Sequence, residues 1–176
     1  VEKDPARLRV LDDMFNFRVK TVISNYYNLT NAVKEADILV GAVLLPGAKA
    51  PQLVTEEMVK QMCQGSVIVD VAIDQGGCVE TIDRITTHDN PTFVKHGVVH
   101  YSVANMPGAV ARTSTLALTN ATLPYIQKIA GKGYRNAVLE DPALARGVNV
   151  IDGRVTFEGV ANSLGLEYTP LSRLIN

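Results

Sequence analysis

The sequence predicts an α/β fold, a doubly wound parallel sheet followed by a mainly helical C-terminal segment. Three observations carry that prediction. Two nearly unbroken apolar runs, residues 38–43 and 66–73, have strand length and the texture of strands buried on both faces, the habit of parallel sheets. Segments with helical spacing alternate with them, as in βαβ units. Past Met106 that rhythm stops and a long helical pattern takes over.

The elements follow in order. Asp4-Pro5 reads as a helix start, an acid that caps and a proline that suits the first turn, with Leu8, Leu11, Met14 and Phe15 on one face. Residues 18–24 alternate and predict a strand. Thr30 is the expected cap of a short helix reaching Ala36. After the first buried run, residues 45–51 form a Gly/Pro loop, and Thr55 with Glu56 and Glu57 opens a helix that Gly65 stops. The second buried run leads into a polar excursion over residues 74–91, and strand character returns at residues 93–94 and 98–103. Residues 112–133 predict one long helix with Pro124 inside it, where a kink is expected. A helix over 136–146, a hairpin turning at Asp152-Gly153 and a short helix over 158–164 complete the chain.

Composition excludes several classes of function. Hydrophobic residues make up 47% and charged ones 20%, a globular balance rather than a disordered one. Lys+Arg 17 against Asp+Glu 18 leaves a net charge of −1, without the basic excess of a nucleic-acid binder. No run nears the ~18 apolar residues of a membrane span. Cys63 and Cys78 are the only cysteines and fit no metal-ligand spacing, so no metal site is expected, and two free thiols in a reducing cytoplasm are.

The densest chemical signal is Val67-Ile-Val-Asp-Val-Ala-Ile-Asp-Gln-Gly-Gly77, an acid and two glycines at the carboxyl end of a buried strand. Ligands of open α/β sheets bind at that edge, and glycines there let backbone approach them closely. A tight turn whose aspartate only bonds backbone is the alternative. The loops after residues 24, 44 and 103 point to the same rim, where each taken alone reads as an ordinary connection. His88, His96 and His100 are the only imidazoles, each open to a solvated or structural role, and Arg84 is either an anion ligand or a surface charge.

Several long segments resemble the alanine dehydrogenase family: Gly41-Ala-Val-Leu-Leu-Pro-Gly-Ala-Lys-Ala-Pro51, Val69-Asp-Val-Ala-Ile-Asp-Gln-Gly-Gly-Cys78, Thr86-Thr-His-Asp-Asn-Pro91, Val103-Ala-Asn-Met-Pro-Gly-Ala-Val110, Thr113-Ser-Thr115 and Ala117-Leu-Thr-Asn-Ala-Thr-Leu-Pro124. The likeness runs along essentially the whole chain. A neighbouring relative, the NAD-binding subunit of nicotinamide nucleotide transhydrogenase, shares the architecture but fits the Asp-Gln-Gly-Gly-Cys text less well. The resemblance implies a Rossmann-like NAD-binding domain, incomplete at its N-terminus, over residues 1–111, and the C-terminal segment of a substrate domain over 112–176.

The activity it implies is reversible, NAD-dependent oxidative deamination of L-alanine to pyruvate and ammonia by a cytoplasmic homo-oligomer, a hexamer by resemblance, with no nucleic-acid or membrane partner. Asp74 matches the family's catalytic aspartate beside the nicotinamide. Implied cofactor contacts are Val71, Ala72 and Ile73 at the same strand end, Ser24 near the adenosine, Val43 and Leu44 at the cofactor's edge, and Arg84. Val103, Ala104, Asn105 and Met106 match the loop at the nicotinamide end. Glu2 matches the acid that binds the adenine ribose, where aspartate is more familiar, and Arg7 a nearby basic contact. Ala111 replaces a common proline, which is expected to loosen the turn into the long helix.

The chain opens without an initiator Met, and the family's glycine-rich phosphate loop and N-terminal substrate segment, with its lysine, arginine and histidine acid, have no counterpart in it. A fragment inactive alone is therefore the expectation. A non-catalytic structural or assembly module, or a transhydrogenase-like NAD-binding domain, stays open as the alternative.

Overall fold

The computed structural model describes residues 1–45 and 49–175. Part of the Gly/Pro loop, Pro46, Gly47 and Ala48, lies outside the described residues. The chain divides into two compact units: Val1–Val43 with Ala50–Ala104, and Leu44–Lys49 with Asn105–Asn176.

The first unit is built on a four-stranded sheet. Helix α1 (Pro5–Phe15) starts as expected, with the Asp4 carboxylate accepting from the Ala6 N–H at 2.8 Å and Pro5 in the first turn. Helix α2 (Tyr26–Glu35) is capped by Asn25, whose side chain accepts from the Asn28 N–H, and not by Thr30. Thr30 lies a turn inside and donates to the Tyr26 carbonyl instead. The strand expected over residues 18–24 shrinks to one parallel bridge, Glu2 with Ile23. Two hydrogen bonds form it, the Glu2 N–H to Val22 O at 3.0 Å and the Ser24 N–H to Glu2 O at 2.7 Å.

Strands β1 (Ile38–Gly41), β2 (Val67–Asp70) and β4 (Val98–Tyr101) run parallel, and β3 (Thr92–Lys95) pairs antiparallel with β4, giving the order β1-β2-β4-β3. Short helix α3 (Glu56–Val59), capped by Thr55, crosses between β1 and β2. Its Met58 and Val59 pack with Val33, Val54, Met62, Ile68, Cys78, Val79 and Val98 in the core. Each such fully buried side chain contributes ~1.5–3 kcal/mol relative to exposure. In the first apolar run Leu39 and Val43 pack against this core, and Ile38 and Val40 are exposed in this chain. The second run leaves strand geometry after Asp70 and coils into a 3₁₀ turn, Val71–Gln75.

The second unit is mainly helical, with α4 (Ala111–Lys132), α5 (Tyr134–Glu140), α6 (Pro142–Gly147) and α7 (Glu158–Leu164). The single helix expected over 136–146 breaks at Asp141-Pro142. Proline cannot continue α5, and Asp141 caps α6 by accepting from the Ala143 N–H. Pro124 lies inside α4. The hairpin β5 (Val150–Ile151) and β6 (Arg154–Val155) turns at Asp152 and Gly153, both at positive φ, as its Asp-Gly pair requires.

Candidate functional site

The parallel register puts the carboxyl ends of β1, β2 and β4 on one edge of the sheet, since Gly41 pairs with Asp70 and Val69 with Tyr101. The second aspartate of the acid–glycine segment is displayed there by the first. Asp70 is fully buried, and its carboxylate accepts from the N–H groups of Ala72 (2.9 Å), Cys78 (2.8 Å) and Val79 (3.3 Å). Those bonds wind residues 71–79 into a closed turn. Gly77 completes it at φ +75°, where a Cβ would stand 3.0 Å from an Asp70 oxygen. On the neighbouring strand a Cβ on Gly41 would overlap the Cys78 sulfur, so glycine there lets β1 close on the turn. The same enclosure pushes the Cys78 thiol up to about 11, by burial first and by the adjacent Asp70 second.

The backbone-bonding role open to Asp74 is thus filled by Asp70, a residue the sequence reading passed over. An acid four residues upstream of another, at the last strand position, was the available signal. Asp74 itself is exposed on the 3₁₀ turn, and its side chain makes no hydrogen bond or ion pair to another described residue. Ala72 and Ile73 are buried under it, and Val71 is exposed. Beside it Gln75 carries, among the described residues, the one buried side-chain oxygen without a partner, Oε1, while its carbonyl accepts from the Ala50 N–H at 2.9 Å. A buried amide oxygen left unpaired costs ~1–3 kcal/mol, so this one is suited to a donor from outside the chain.

Ser24 and Val43 line one pocket of ≈ 370 Å³ with Leu29, Val33, Val40 and Gly41, a largely apolar recess beside β1. The Ser24 N–H bonds Glu2 O at 2.7 Å, which ties Glu2 to the same end of the sheet. The Glu2 carboxylate accepts from the Lys3 and Asp4 N–H groups at 2.6 and 3.0 Å. These bonds, Asp4 first, hold it below the usual carboxylate range. Arg7 is exposed on the first turn of α1.

Arg84 lies against the end of β4, where its carbonyl accepts from the Ser102 hydroxyl at 2.9 Å. Its Nε donates to Asp83 at 2.7 Å, and its guanidinium covers the Phe93 ring at 4.8 Å. Arg84 and then Lys95 draw the Asp83 carboxyl down to about 2. Val103 is buried one residue further along, bridged to Thr86, and Ala104 closes the first unit. Leu44, Asn105 and Met106 belong to the second unit, where Met106 begins a 3₁₀ turn, Met106–Val110, leading into α4 at Ala111.

The histidines separate clearly. His100 is buried, its Nδ1–H donating to the Val98 carbonyl (2.9 Å) and its Nε2 accepting from the Thr81 hydroxyl (2.8 Å), which makes it a neutral structural imidazole. His96 turns the β3–β4 hairpin at φ +55° and bonds Glu56 at 2.6 Å. No helix among the described residues is long and apolar enough to cross a membrane.

Comparison with known proteins decides the ancestry of this arrangement. The family profile described as "Alanine dehydrogenase/PNT, C-terminal domain" matches residues 1–158. The chain belongs to this family. Among its relatives, the alanine dehydrogenase of Methanococcus maripaludis is 65% identical over 176 residues, covering 100% of this chain and 47% of that protein. That of Bacillus subtilis is 62% identical over 175 residues, covering 99% and 46%. A solved structure titled L-alanine dehydrogenase superposes with a TM-score of 0.79 at 49% identity, over 94% of this chain and 46% of the other. A transhydrogenase from Sinorhizobium meliloti shares the fold, with a TM-score of 0.61 at 22% identity. The first unit of this alanine dehydrogenase/PNT-family chain is therefore Rossmann-like, and the chain spans about half the length of the curated relatives it matches.

Proposed function

We propose that this chain is the C-terminal half of an NAD-dependent alanine dehydrogenase, a cytoplasmic homo-oligomer that interconverts L-alanine with pyruvate and ammonia. The observation that carries the reading is Asp74, an acid whose side chain has no partner among the described residues, at the carboxyl edge of a Rossmann-like sheet in a chain 58–65% identical to alanine dehydrogenases. Residues 1–111 would form the nucleotide-binding part and residues 112–176 would return to the substrate domain.

The residues present fit a dinucleotide. Gln75 Oε1 is a buried acceptor without a donor among the described residues. Arg84 keeps both terminal NH₂ groups unpaired among the described residues. Glu2 and Arg7 would hold the ribose end, Val43 and Leu44 the edge, Val71, Ala72 and Ile73 the strand end, and Val103, Ala104, Asn105 and Met106 the nicotinamide end. When bound, NAD supplies the acceptor for the hydride leaving the substrate Cα.

The chain's own contribution is electrostatic. The Asp74 carboxylate would orient the substrate amino group and stabilise positive charge growing on it, from a turn that Asp70 keeps rigid. Three backbone N–H groups occupy Asp70, so the turn holds its shape without drawing on Asp74. Asp74→Asn in the full-length enzyme is expected to lower kcat ~100-fold or more while NADH affinity and Tm stay near wild type. Steady-state kinetics with a melting curve check it. An unchanged kcat would reduce Asp74 to a turn residue.

A further inference from the structure

One assembly in the first unit is used by neither the core nor the proposed chemistry of Asp74. Phe93 and His100 face each other in the β3–β4 register, and their rings stack with centroids 4.9 Å apart and planes 15° from parallel. On the outer face of Phe93 lies the Arg84 guanidinium, its Cζ 4.8 Å from the ring centroid. Imidazole, phenyl and guanidinium thus form three layers running from the buried sheet to its surface.

Each layer is fixed independently. His100 is held at both ring nitrogens, by Val98 O and Thr81 Oγ1, and burial keeps it neutral. Phe93 is pinned by its place in the ladder. Arg84 is held by its backbone to Ser102 and by its Nε to Asp83, which Lys95 anchors in turn at 3.3 Å. A free arginine on a surface samples many rotamers. One stacked on a ring and tethered through Nε presents its two NH₂ groups in a single direction. Ser102, which donates to the Arg84 carbonyl, is the first residue past β4, so the Arg84 main chain is rooted at the carboxyl end of that strand and its side chain reaches back over Phe93.

We propose that Phe93 and His100 are positioning residues that hold the Arg84 guanidinium in the orientation in which it receives an acceptor group of the bound dinucleotide. The inference rests on the reading of Arg84 as a cofactor contact. Asp83 sets the rotamer through Nε and leaves the other edge of the fork without a partner among the described residues, so a ligand oxygen need not displace it. His100 serves as a rigid, uncharged base for the stack, and a cationic ring there would repel the guanidinium two layers away.

The test is a double-mutant cycle in the full-length enzyme, reading the NADH dissociation constant by fluorescence titration alongside KM and kcat. Arg84→Ala is expected to weaken NADH binding about ten-fold. Phe93→Ala should weaken it about three-fold with kcat little changed, the size of an exposed cation–π contact. Phe93→Tyr, which keeps the ring, should restore it. In the Arg84→Ala background, Phe93→Ala should add nothing. Phe93→Leu keeps most of the apolar volume without the ring face, and it replaces the alanine variant if that one fails to fold.

A loss on Phe93 substitution that persists undiminished in the Arg84→Ala background would show a merely structural role and overturn the stack. An undisturbed NADH affinity in Arg84→Ala would instead overturn the assignment of Arg84 as a cofactor contact, and the stack's purpose with it.

Discussion

At the scale of single residues, two carboxylates four positions apart differ through their surroundings. Asp70 is enclosed and saturated by backbone donors, whereas the Asp74 side chain is exposed and has no partner among the described residues. Glu2 lies between these cases. Two backbone N–H groups at the start of α1 bond one of its oxygens and favour its charged form, and the other oxygen has no partner among the described residues. If that oxygen meets the ribose hydroxyls of NAD, the 2′-phosphate of NADP would bring like charge against it. The full-length enzyme should then prefer NAD. Glu2→Ser should move the ratio of kcat/KM toward NADP by about ten-fold, with Arg7 free to receive the phosphate. An unmoved ratio would remove Glu2 from the ribose site.

At the scale of elements, the turn after β2 is a small covalent-like unit made of hydrogen bonds. Residues 71–79 leave the sheet, coil once and return to pair with Val54 through Val79, and the buried Asp70 carboxylate sits at their centre. Asp70→Ala would strand three N–H groups in a buried setting and open a void beside Cys78. A loss of about 3 kcal/mol in stability is expected. Asp70→Asn, which keeps the shape but turns one acceptor into a donor facing an N–H, should lose a comparable amount. Urea midpoints at constant m-value check both. Stability within ~0.5 kcal/mol of wild type for either variant would mean that the turn is held by its glycines and not by Asp70.

At the scale of the whole molecule, His100 couples acidity to folding. Burial lowers its pKa below the ordinary value of ~6.5 while both ring nitrogens are engaged. Between the folded and unfolded values the unfolded chain binds more protons, so stability rises with pH through that window. The contribution is fully present above ~6.5 and is lost as pH falls toward the depressed folded value. Unfolding midpoints measured from pH 7.5 to 5 should drop toward acid, and His100→Phe should flatten that part of the curve. Parallel curves for the two proteins would show that other groups carry the acid sensitivity.

The sequence by itself determined the alternation of helix and apolar strand, the ends marked by Asp4-Pro5 and Asp152-Gly153, the family, and the segment that carries Asp74. These are local or collinear signals: cap chemistry, positive-φ turns, runs of β-branched residues and long motifs. Tertiary structure alone decided which aspartate binds backbone and which is displayed, that residues 18–24 pair only at one bridge, and that Asn25 rather than Thr30 caps α2. It also decided that Arg84, Phe93 and His100, spread over 17 positions of chain, form one stack. Apart from the Asn25 cap, which is a local bond to the Asn28 N–H, these outcomes share one physical reason. Each outcome depends on which partner reaches a polar group or ring first across the fold, and strand register, which sets those meetings, is a property of the paired chain rather than of any single stretch of it.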